Sequence, residues 1–301
     1  MSGFQCRTIS FIGAIVSVAL MLPNVPVARS QTVATQMDQP NRVLVTYFAP
    51  KNPNLQKLYD LLRERRALEK IQEILSPFRL PEEITIRTAE CGEVNAYYRR
   101  EISKPTVTIC YEYLQRTLES LPKATTPAGV SPADAEVGQF LWVALHEVGH
   151  AIADIYDLPI FGHVEDAADD FATYIMLQFG KEQARRMIGG AAWAWRAYLG
   201  DYKKNPVMQK RIAAFADEHG LPEQRFYNLL CLAFGADPAY FIDLKDYLPP
   251  TRSSSSCARE YQTLVHAFHK EISPHIDQEI ARRVLDTNWL PDPESKPVPQ
   301  K

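Results

Sequence analysis

Short runs of β-branched and aromatic residues alternate with helical patterns in the first third of the chain. Three of these runs are typical of β-strands and cover residues 42–49, 84–91 and 106–111. Leucine and isoleucine recur at three- and four-residue spacing over 55–75, which predicts one amphipathic helix. A short helix is predicted at 113–121. The connection 92–105, between the last two strands, is long for a hairpin loop.

From residue 131 onward the pattern is helical almost throughout. Ser131 and Pro132 form a typical helix start, because proline is favoured at the first helical position. The breaker-rich stretch PKATTPAGVSP, which ends there, separates an α/β part (42–122) from a helical part (131–290). Helices are predicted at 131–157, 164–178, 181–199, 206–218, 222–234 and 257–272. The expected fold class is therefore α+β.

The chain begins with the pattern of a secretory signal peptide. Arg7 precedes an uninterrupted apolar run at 11–22, Pro23 ends the run, and small residues lead to Ser30. This run is short for a bilayer core, which needs about 20 residues. We therefore expect a signal peptide at 1–30, cut near Ser30, and no stable membrane span afterwards. The protein would then be secreted or periplasmic, and an uncleaved N-terminal anchor is the alternative.

Composition and charge narrow the class of protein. With 46% hydrophobic and 23% charged residues, the chain resembles globular proteins that bury a core. The net charge of −3 gives no electrostatic reason to expect nucleic acid as a partner. The polar segment 31–41 is typical of a flexible lead-in, and the Pro-rich segment 291–301 is typical of a disordered tail. Residues 42–290 are the expected domain.

Removal of the signal peptide leaves an even number of cysteines, which suits an oxidising compartment. They are Cys91, Cys110, Cys231 and Cys257. Two disulfides are expected, and the sequence allows three pairings. Local pairing closes the shortest loops, and a Cys91–Cys110 bridge would tie the ends of two predicted strands together.

All seven histidines lie at or beyond residue 146, and two of them lie four residues apart. The stretch HEVGH at 146–150 is an H-E-x-x-H motif inside a predicted core-facing helix. Because positions four apart share one helix face, His146 and His150 can bind one tetrahedral zinc, and Glu147 can take a proton from water. Gly149 weakens a helix interior, which indicates that some neighbouring group must approach the helix backbone closely there. The alternative is a pair of structural histidines.

A third zinc ligand is needed, and three nearby residues are considered first. A metzincin has a histidine six residues after the second motif histidine, where this chain has Tyr156, so that class is excluded. Asp154 lies on the motif helix, where a further ligand would strain the geometry, so a role in supporting a ligand fits it better. His163 ends a loop and is expected at a helix entry.

Two carboxylates on the next helix are stronger candidates. Glu165 and Asp169 lie four residues apart, so they share one face of the predicted helix 164–178. Glu165 would complete a His₂Glu site, and Asp169 would accept a hydrogen bond from a ligand histidine and fix its tautomer. Alanines in this segment would let the two helices pack closely. The alternative is a solvated acidic helix N-terminus.

HEVGH followed by E-x-x-A-D resembles the gluzincin-type metallopeptidases, the group that includes thermolysin. The chain is also similar to a family of secreted bacterial metallopeptidases whose substrates are undefined. This second likeness rests on CGEVNAYY, TICYEY, ALHEVGHAIADIYDLPIFG with EDAADDFA, and QRFYNLLCLAFGADP, which span most of residues 42–270. The resemblance implies a zincin-like fold with His146, His150 and Glu165 as ligands, Glu147 as base, and paired cysteines at the four positions above. It assigns no residue to transition-state stabilisation.

The main hypothesis is an exported zinc-dependent endopeptidase with one Zn²⁺ per chain and a peptide or protein substrate. Zinc would activate a water molecule, and Glu147 would act as the general base. One of the strands at 84–91 and 106–111 is expected to bind peptide by strand addition. Four side chains are candidates for the donor that stabilises the transition state: Tyr240, His219, His266 and His269.

The competing hypothesis is a non-catalytic, zinc-stabilised module that binds a partner in the cell envelope. Its platform would be the stretch AAWAWRAY, although Trp193 and Trp195 within it are more typical of a core. Metal coordination separates the two hypotheses. An open fourth position favours catalysis, whereas a fourth protein ligand indicates a closed structural site.

Overall fold

The computed structural model describes residues 42–102, 104–204 and 218–290, except for the side chains of 197–204. A mixed sheet is built from β1 (Val43–Tyr47), β2 (Ile84–Ala89), β3 (Ala96–Glu101) and β4 (Lys104–Cys110). The strand order is β1-β2-β4-β3, in which β1, β2 and β4 are parallel and β3 is antiparallel to β4. The edges of this sheet are therefore β1 and β3.

Helices make up most of the remaining described chain. They are α1 (Gln56–Glu64), α2 (Ala67–Ile74), α3 (Tyr111–Glu119), α4 (Pro132–Ile155), α5 (Val164–Gln178), α6 (Lys181–Lys204), α7 (Pro222–Ala236), α8 (Ser254–Glu271) and α9 (Gln278–Asp286). Short 3₁₀ turns lie at Pro53–Leu55, Ile242–Tyr247 and Ser273–His275. A small sheet followed by many helices confirms the expected α+β class.

The third strand is the main difference between the predicted and observed sheets. β3 pairs with β4 as a hairpin, so the connection 92–105 contains a strand. Its side chains are exposed or only partly buried, and this edge position explains why it shows no regular apolar alternation. The peptide-binding expectation for 84–91 and 106–111 is wrong, because β2 and β4 each pair with neighbours on both sides.

The helix predicted over 55–75 is broken in two. Arg66 has a left-handed backbone conformation with φ 51°, and it separates α1 from α2. The hydroxyl of Tyr47, at the end of β1, accepts a hydrogen bond of 2.8 Å from the backbone N–H of Leu68 and donates to Glu69. Because this contact satisfies a free N–H in the first turn of α2, β1 fixes the point where the second helix begins.

The long helix α4 lies at the centre of the described structure. It begins as predicted, with the Ser131 side chain accepting a hydrogen bond from the Asp134 N–H and with proline at the first helical position. Its neighbours are β3 and β4 of the sheet and the helices α5 and α6. The chain is buried continuously over 141–149, so the middle of α4 is a rigid support for the motif residues.

Two disulfides join neighbouring elements. Cys91–Cys110 links the segment after β2 to the end of β4, and Cys231–Cys257 links α7 to α8, as local pairing predicts. Within the described ranges, no helix is long and apolar enough to cross a bilayer. The predicted signal peptide (1–30), lead-in (31–41), tail (291–301) and nearly all of the helix predicted at 206–218 lie outside the described residues.

Candidate metal centre

The H-E-x-x-H motif lies in the buried middle of α4. His146 is 3% exposed and Glu147 is 6% exposed, while His150 on the next turn is partly buried. Burial of ionisable groups costs free energy unless they have polar partners. The partners of this motif come from α5, from the residues just before α7 and from α7 itself.

Gly149 brings α5 close to the motif helix. A Cβ atom at this position would lie 3.1 Å from the Cα of Ala168 on α5, closer than ordinary van der Waals contact. Ala168 and Ala172 are both buried. Small residues on both helices therefore let the two backbones approach, and this places Glu165 and Asp169 opposite the motif histidines.

Donor groups from three residues meet where α4 and α5 pack together. His146 Nε2 lies 3.1 Å from Glu165 Oε2, His150 Nε2 lies 3.4 Å from Glu165 Oε1, and the two imidazole nitrogens are 3.3 Å apart. Donors in a tetrahedral zinc site with bonds of about 2.0–2.1 Å are about 3.3–3.4 Å apart. The spacing therefore fits one tetrahedral cation, and the three residues are those that the sequence predicts as ligands.

Asp169 lies on the other side of the His146 ring. Its Oδ1 is 2.7 Å from His146 Nδ1. An Nδ1–H that donates to this carboxylate leaves Nε2 free to face the other two donors. The structure thus places Asp169 where the sequence predicts it.

Arg225 on α7 is a member of the site that the sequence analysis does not identify. Its Nε lies 2.7 Å from Asp169 Oδ2, and its Nη2 lies 2.5 Å from Oδ1. The buried guanidinium lies over the rings of Trp142 and Trp195, at 4.9 and 4.2 Å from their centroids. Trp142 also stacks on His146. In the sequence, the feature that could have identified Arg225 is its position as a charged residue among the apolar residues of the predicted helix 222–234.

Glu147 lines the cleft beside the three donors but is not one of them. Burial raises the pKa of Glu147, and the imidazoles of His146 and His150 lower it in part. A general base works best when its pKa lies near the working pH. The raised pKa therefore suits a carboxylate that takes up a proton and releases it again.

Among the four candidate transition-state donors, the structure brings one to the centre. His219, just before α7, is half-exposed, and its Nε2 lies 2.9 Å from Glu165 Oε2. Tyr240 instead contacts two cationic side chains of α6. His266 and His269 are exposed on α8, outside the residues that line the cleft.

Two further positions considered as ligands lie away from the donor atoms. Asp154 accepts hydrogen bonds from Tyr98 and Arg100 on β3. It therefore links α4 to the edge strand instead of supporting a ligand histidine, which corrects the expectation for this residue. His163 is the exposed residue that precedes α5, the helix-entry position predicted for it.

A cleft of about 1430 Å³ lies over the donor atoms. Residues 95–100, which include most of the edge strand β3, line it together with parts of α4, α5 and α8. Phe161, in the loop before α5, also lines the cleft and is fully exposed. Glu147, His150 and Glu165 thus lie in an open depression beside a sheet edge.

A comparison with known families supports this arrangement. The family model described as "Putative metallopeptidase" (DUF4344) matches residues 47–271, which is more than half of the chain. The chain belongs to this family. The matched region includes β2 to β4, the helices α4, α5 and α7 that carry the site, and all four disulfide cysteines. No curated protein and no solved structure matches the chain.

In this metallopeptidase-family protein, the acidic partners of His146 favour its protonated form. Burial alone lowers the pKa of His146, but the hydrogen bonds to Asp169 and Glu165 outweigh it and raise the pKa to about 9. The same contacts hold the pKa of Glu165 well below its usual range, although burial opposes them. The metal-free site therefore holds a proton between His146 and the carboxylates at neutral pH.

If His146 binds a metal ion, the affinity for that ion should rise with pH, because a histidine ligand must be neutral. Below pH 9 a metal ion such as zinc would have to displace the proton on His146, so its dissociation constant should fall about tenfold per pH unit between pH 7 and 8.5. Competition with a chelating dye would measure this slope. In Asp169→Asn the slope should flatten, because this variant removes a partner that raises the pKa. A wild-type affinity independent of pH over this range would contradict the prediction.

Proposed function

We propose that this protein is an exported zinc-dependent endopeptidase. The observation that carries the proposal is the convergence of His146, His150 and Glu165, with donor atoms 3.1–3.4 Å apart, beside the buried carboxylate Glu147 in an open cleft. Two imidazoles and a carboxylate are a donor set that catalytic zinc sites use. When bound, Zn²⁺ would supply a Lewis acid that polarises a carbonyl oxygen and lowers the pKa of water to about 7.

The number of donors supports catalysis over a closed structural site. Within the described residues, the group whose donor atoms all lie within 4.8 Å of one another at this site has three members. Three protein ligands leave one tetrahedral position open. This supports the endopeptidase over the non-catalytic module.

The residues around the three donors have separate roles in the proposed hydrolysis of a peptide bond. Glu147 takes a proton from the attacking water and passes it to the leaving amine. His219 lines the same cleft, and its ring N–H is the proposed donor to the carbonyl oxygen as negative charge develops. Asp169 and Arg225 hold the ring of His146 in place.

The edge strand β3 is the proposed docking site for an extended peptide. One side of β3 pairs with β4, and residues 95–100 line the cleft. Main-chain groups on the other side of β3 would pair with the peptide, as in strand addition elsewhere. This strand takes the role that the sequence analysis gave to 84–91 or 106–111.

The stretch AAWAWRAY, which is the partner-binding platform in the competing hypothesis, makes contacts within the protein. Trp193 Nε1 donates a 3.0 Å hydrogen bond to the carbonyl of Ser120, and the ring of Trp195 lies under Arg225. These contacts favour a packing role for both indoles. Export is proposed from the signal-peptide pattern, and the two disulfides fit an oxidising compartment.

Metal analysis combined with a mixed peptide library tests the proposed function. The purified protein should bind one zinc ion and hydrolyse the library, lose hydrolysis in a chelator, and regain it with added zinc. His150→Ala should bind zinc at least about 100-fold more weakly, because it removes a ligand. One bound zinc with an intact library would favour the non-catalytic module, and no bound metal would contradict both hypotheses.

A further inference from the structure

A second pocket adjoins the metal centre on the side of α6 and α7. Its volume is about 550 Å³, and it shares Glu147 and His219 with the main cleft. A substrate that crosses the proposed catalytic carboxylate would therefore place one side chain in this pocket. The chemistry of the pocket walls then decides which side chain fits best.

Two side chains that line this pocket have unusual surroundings. Gln139 and Trp142 lie on the face of α4 that carries His146, two turns and one turn before it respectively, and are 3% and 6% exposed. Among the residues that the structure describes, the buried Gln139 Nε2 and Trp142 Nε1 have no hydrogen-bond partner. An unsatisfied buried donor costs about 1–3 kcal/mol. Two such donors in consecutive turns beside Glu147 point to a ligand that supplies an acceptor.

The other walls of the pocket favour a neutral acceptor over a carboxylate. Ala191, Ala194 and Leu221 make part of the lining apolar, and a charge buried there without a partner would be costly. The guanidinium of Arg225, which also reaches the pocket, already binds both carboxylate oxygens of Asp169. Glu147 lines the same pocket and would repel a second carboxylate.

We infer that this pocket is a substrate subsite that selects a side chain ending in a primary amide, with glutamine as the preferred residue. The side-chain carbonyl of the substrate has two lone pairs, so it can accept hydrogen bonds from both Gln139 and Trp142. This inference rests on the proposed function, because it takes the occupant to be a residue next to the cleaved bond.

Two metal-directed probes test the subsite without relying on hydrolysis. One is a succinyl hydroxamate that carries a glutamine side chain, and the other carries the nearly isosteric methionine side chain. Titration calorimetry on the zinc-loaded protein should show that the glutamine probe binds about tenfold more tightly. Without the two hydrogen bonds, the apolar walls would favour methionine. Equal affinities, or tighter binding of the methionine probe, would overturn the subsite and leave the metal centre intact.

Failure of the proposed function would give a different result. If neither hydroxamate binds the zinc-loaded protein, the metal-centre proposal is overturned and the subsite inference falls with it. Binding of the glutamine probe in preference to methionine supports the subsite even if a peptide library stays intact.

Variants at the two donors separate a ligand-binding role from a structural one. In Gln139→Leu the glutamine and methionine probes should bind with about equal affinity. The melting temperature should not fall, because the substitution removes an unsatisfied buried amide. Trp142→Phe keeps an aromatic ring beside His146 and should reduce the preference in part. Gln178→Leu, at a partly buried glutamine on α5 outside both pockets, is the control and should retain the preference. A lower melting temperature in Gln139→Leu with an unchanged preference would show a structural role and overturn the inference.

Discussion

Glu147→Gln is expected to lower kcat/KM for peptide hydrolysis by about 10²–10⁴-fold while leaving zinc binding unchanged. An amide at this position cannot take a proton from water, yet it fills nearly the same volume as the carboxylate. Glu147 lies beside the three donors and is not one of them, so its replacement leaves the three proposed metal ligands in place. Metal analysis and hydrolysis of the same peptide library, measured on one preparation, would check both halves of this expectation.

The stability of Glu147→Gln provides a test against misfolding. Burial raises the pKa of Glu147, so its charged form is disfavoured in the folded protein and lowers stability at neutral pH. The neutral glutamine should therefore leave the melting temperature of the metal-free protein unchanged or raise it. A variant that loses activity and also melts earlier would not count as evidence for a general base.

A glutamate elsewhere on the motif helix supplies the matched control. Glu136 on α4 is partly buried, pairs with Arg65 at 3.1 Å, and does not line the cleft. Glu136→Gln should retain full hydrolysis and full zinc binding. If Glu147→Gln were as active as this control, the assignment of Glu147 as general base would be wrong.

The parts of the site that were predictable from sequence are those encoded within single helices. His146, Glu147 and His150 are brought together by helical periodicity alone, and so are Glu165 and Asp169. Packing of the two helices against each other was also predictable, since Gly149 and the alanines of α5 are small. These features depend on residues close in sequence, where spacing determines geometry.

The features missed by the sequence analysis depend on contacts between distant segments. β3 is an edge strand with two tyrosines and charged neighbours, so only its pairing with β4 makes it recognisable. The break at Arg66 is set by the hydroxyl of Tyr47, which belongs to another element. Arg225 lies 56 residues after Asp169 in the chain, and no local pattern connects them.

Arg225→Met is expected to destabilise the metal-free protein by about 3 kcal/mol at neutral pH. Removing one partner of a buried ion pair leaves the other charge poorly compensated, at a cost of about 3–5 kcal/mol, and His146 remains as a second partner of Asp169. Methionine fills much of the apolar volume over the two indole rings, so the loss reflects mainly the charge and its hydrogen bonds. Urea denaturation would measure the change in the free energy of unfolding.

The pH dependence of this loss identifies Asp169 as its source. Burial alone raises the pKa of Asp169, but hydrogen bonds from His146 and Arg225 outweigh it and hold the pKa below its usual value. A carboxylate with a lowered pKa stabilises the fold at neutral pH, and this contribution is lost as the pH falls through its folded pKa. The difference between wild type and Arg225→Met should therefore shrink in acid. Zinc affinity should also fall, by about 10–100-fold, because Asp169 orients the ligand His146.

A partly exposed arginine with the same type of partner tests whether burial causes the loss of stability in Arg225→Met. Arg185 binds both carboxylate oxygens of Asp243 at 2.9 and 2.8 Å, but about a third of its side chain is exposed. Solvent screens this pair, so Arg185→Met should cost about 1 kcal/mol or less and leave zinc affinity unchanged. Equal losses in the two variants would mean that the burial of Arg225 adds nothing to the pair. Unchanged zinc affinity in Arg225→Met would mean that Asp169 holds His146 without help from the arginine.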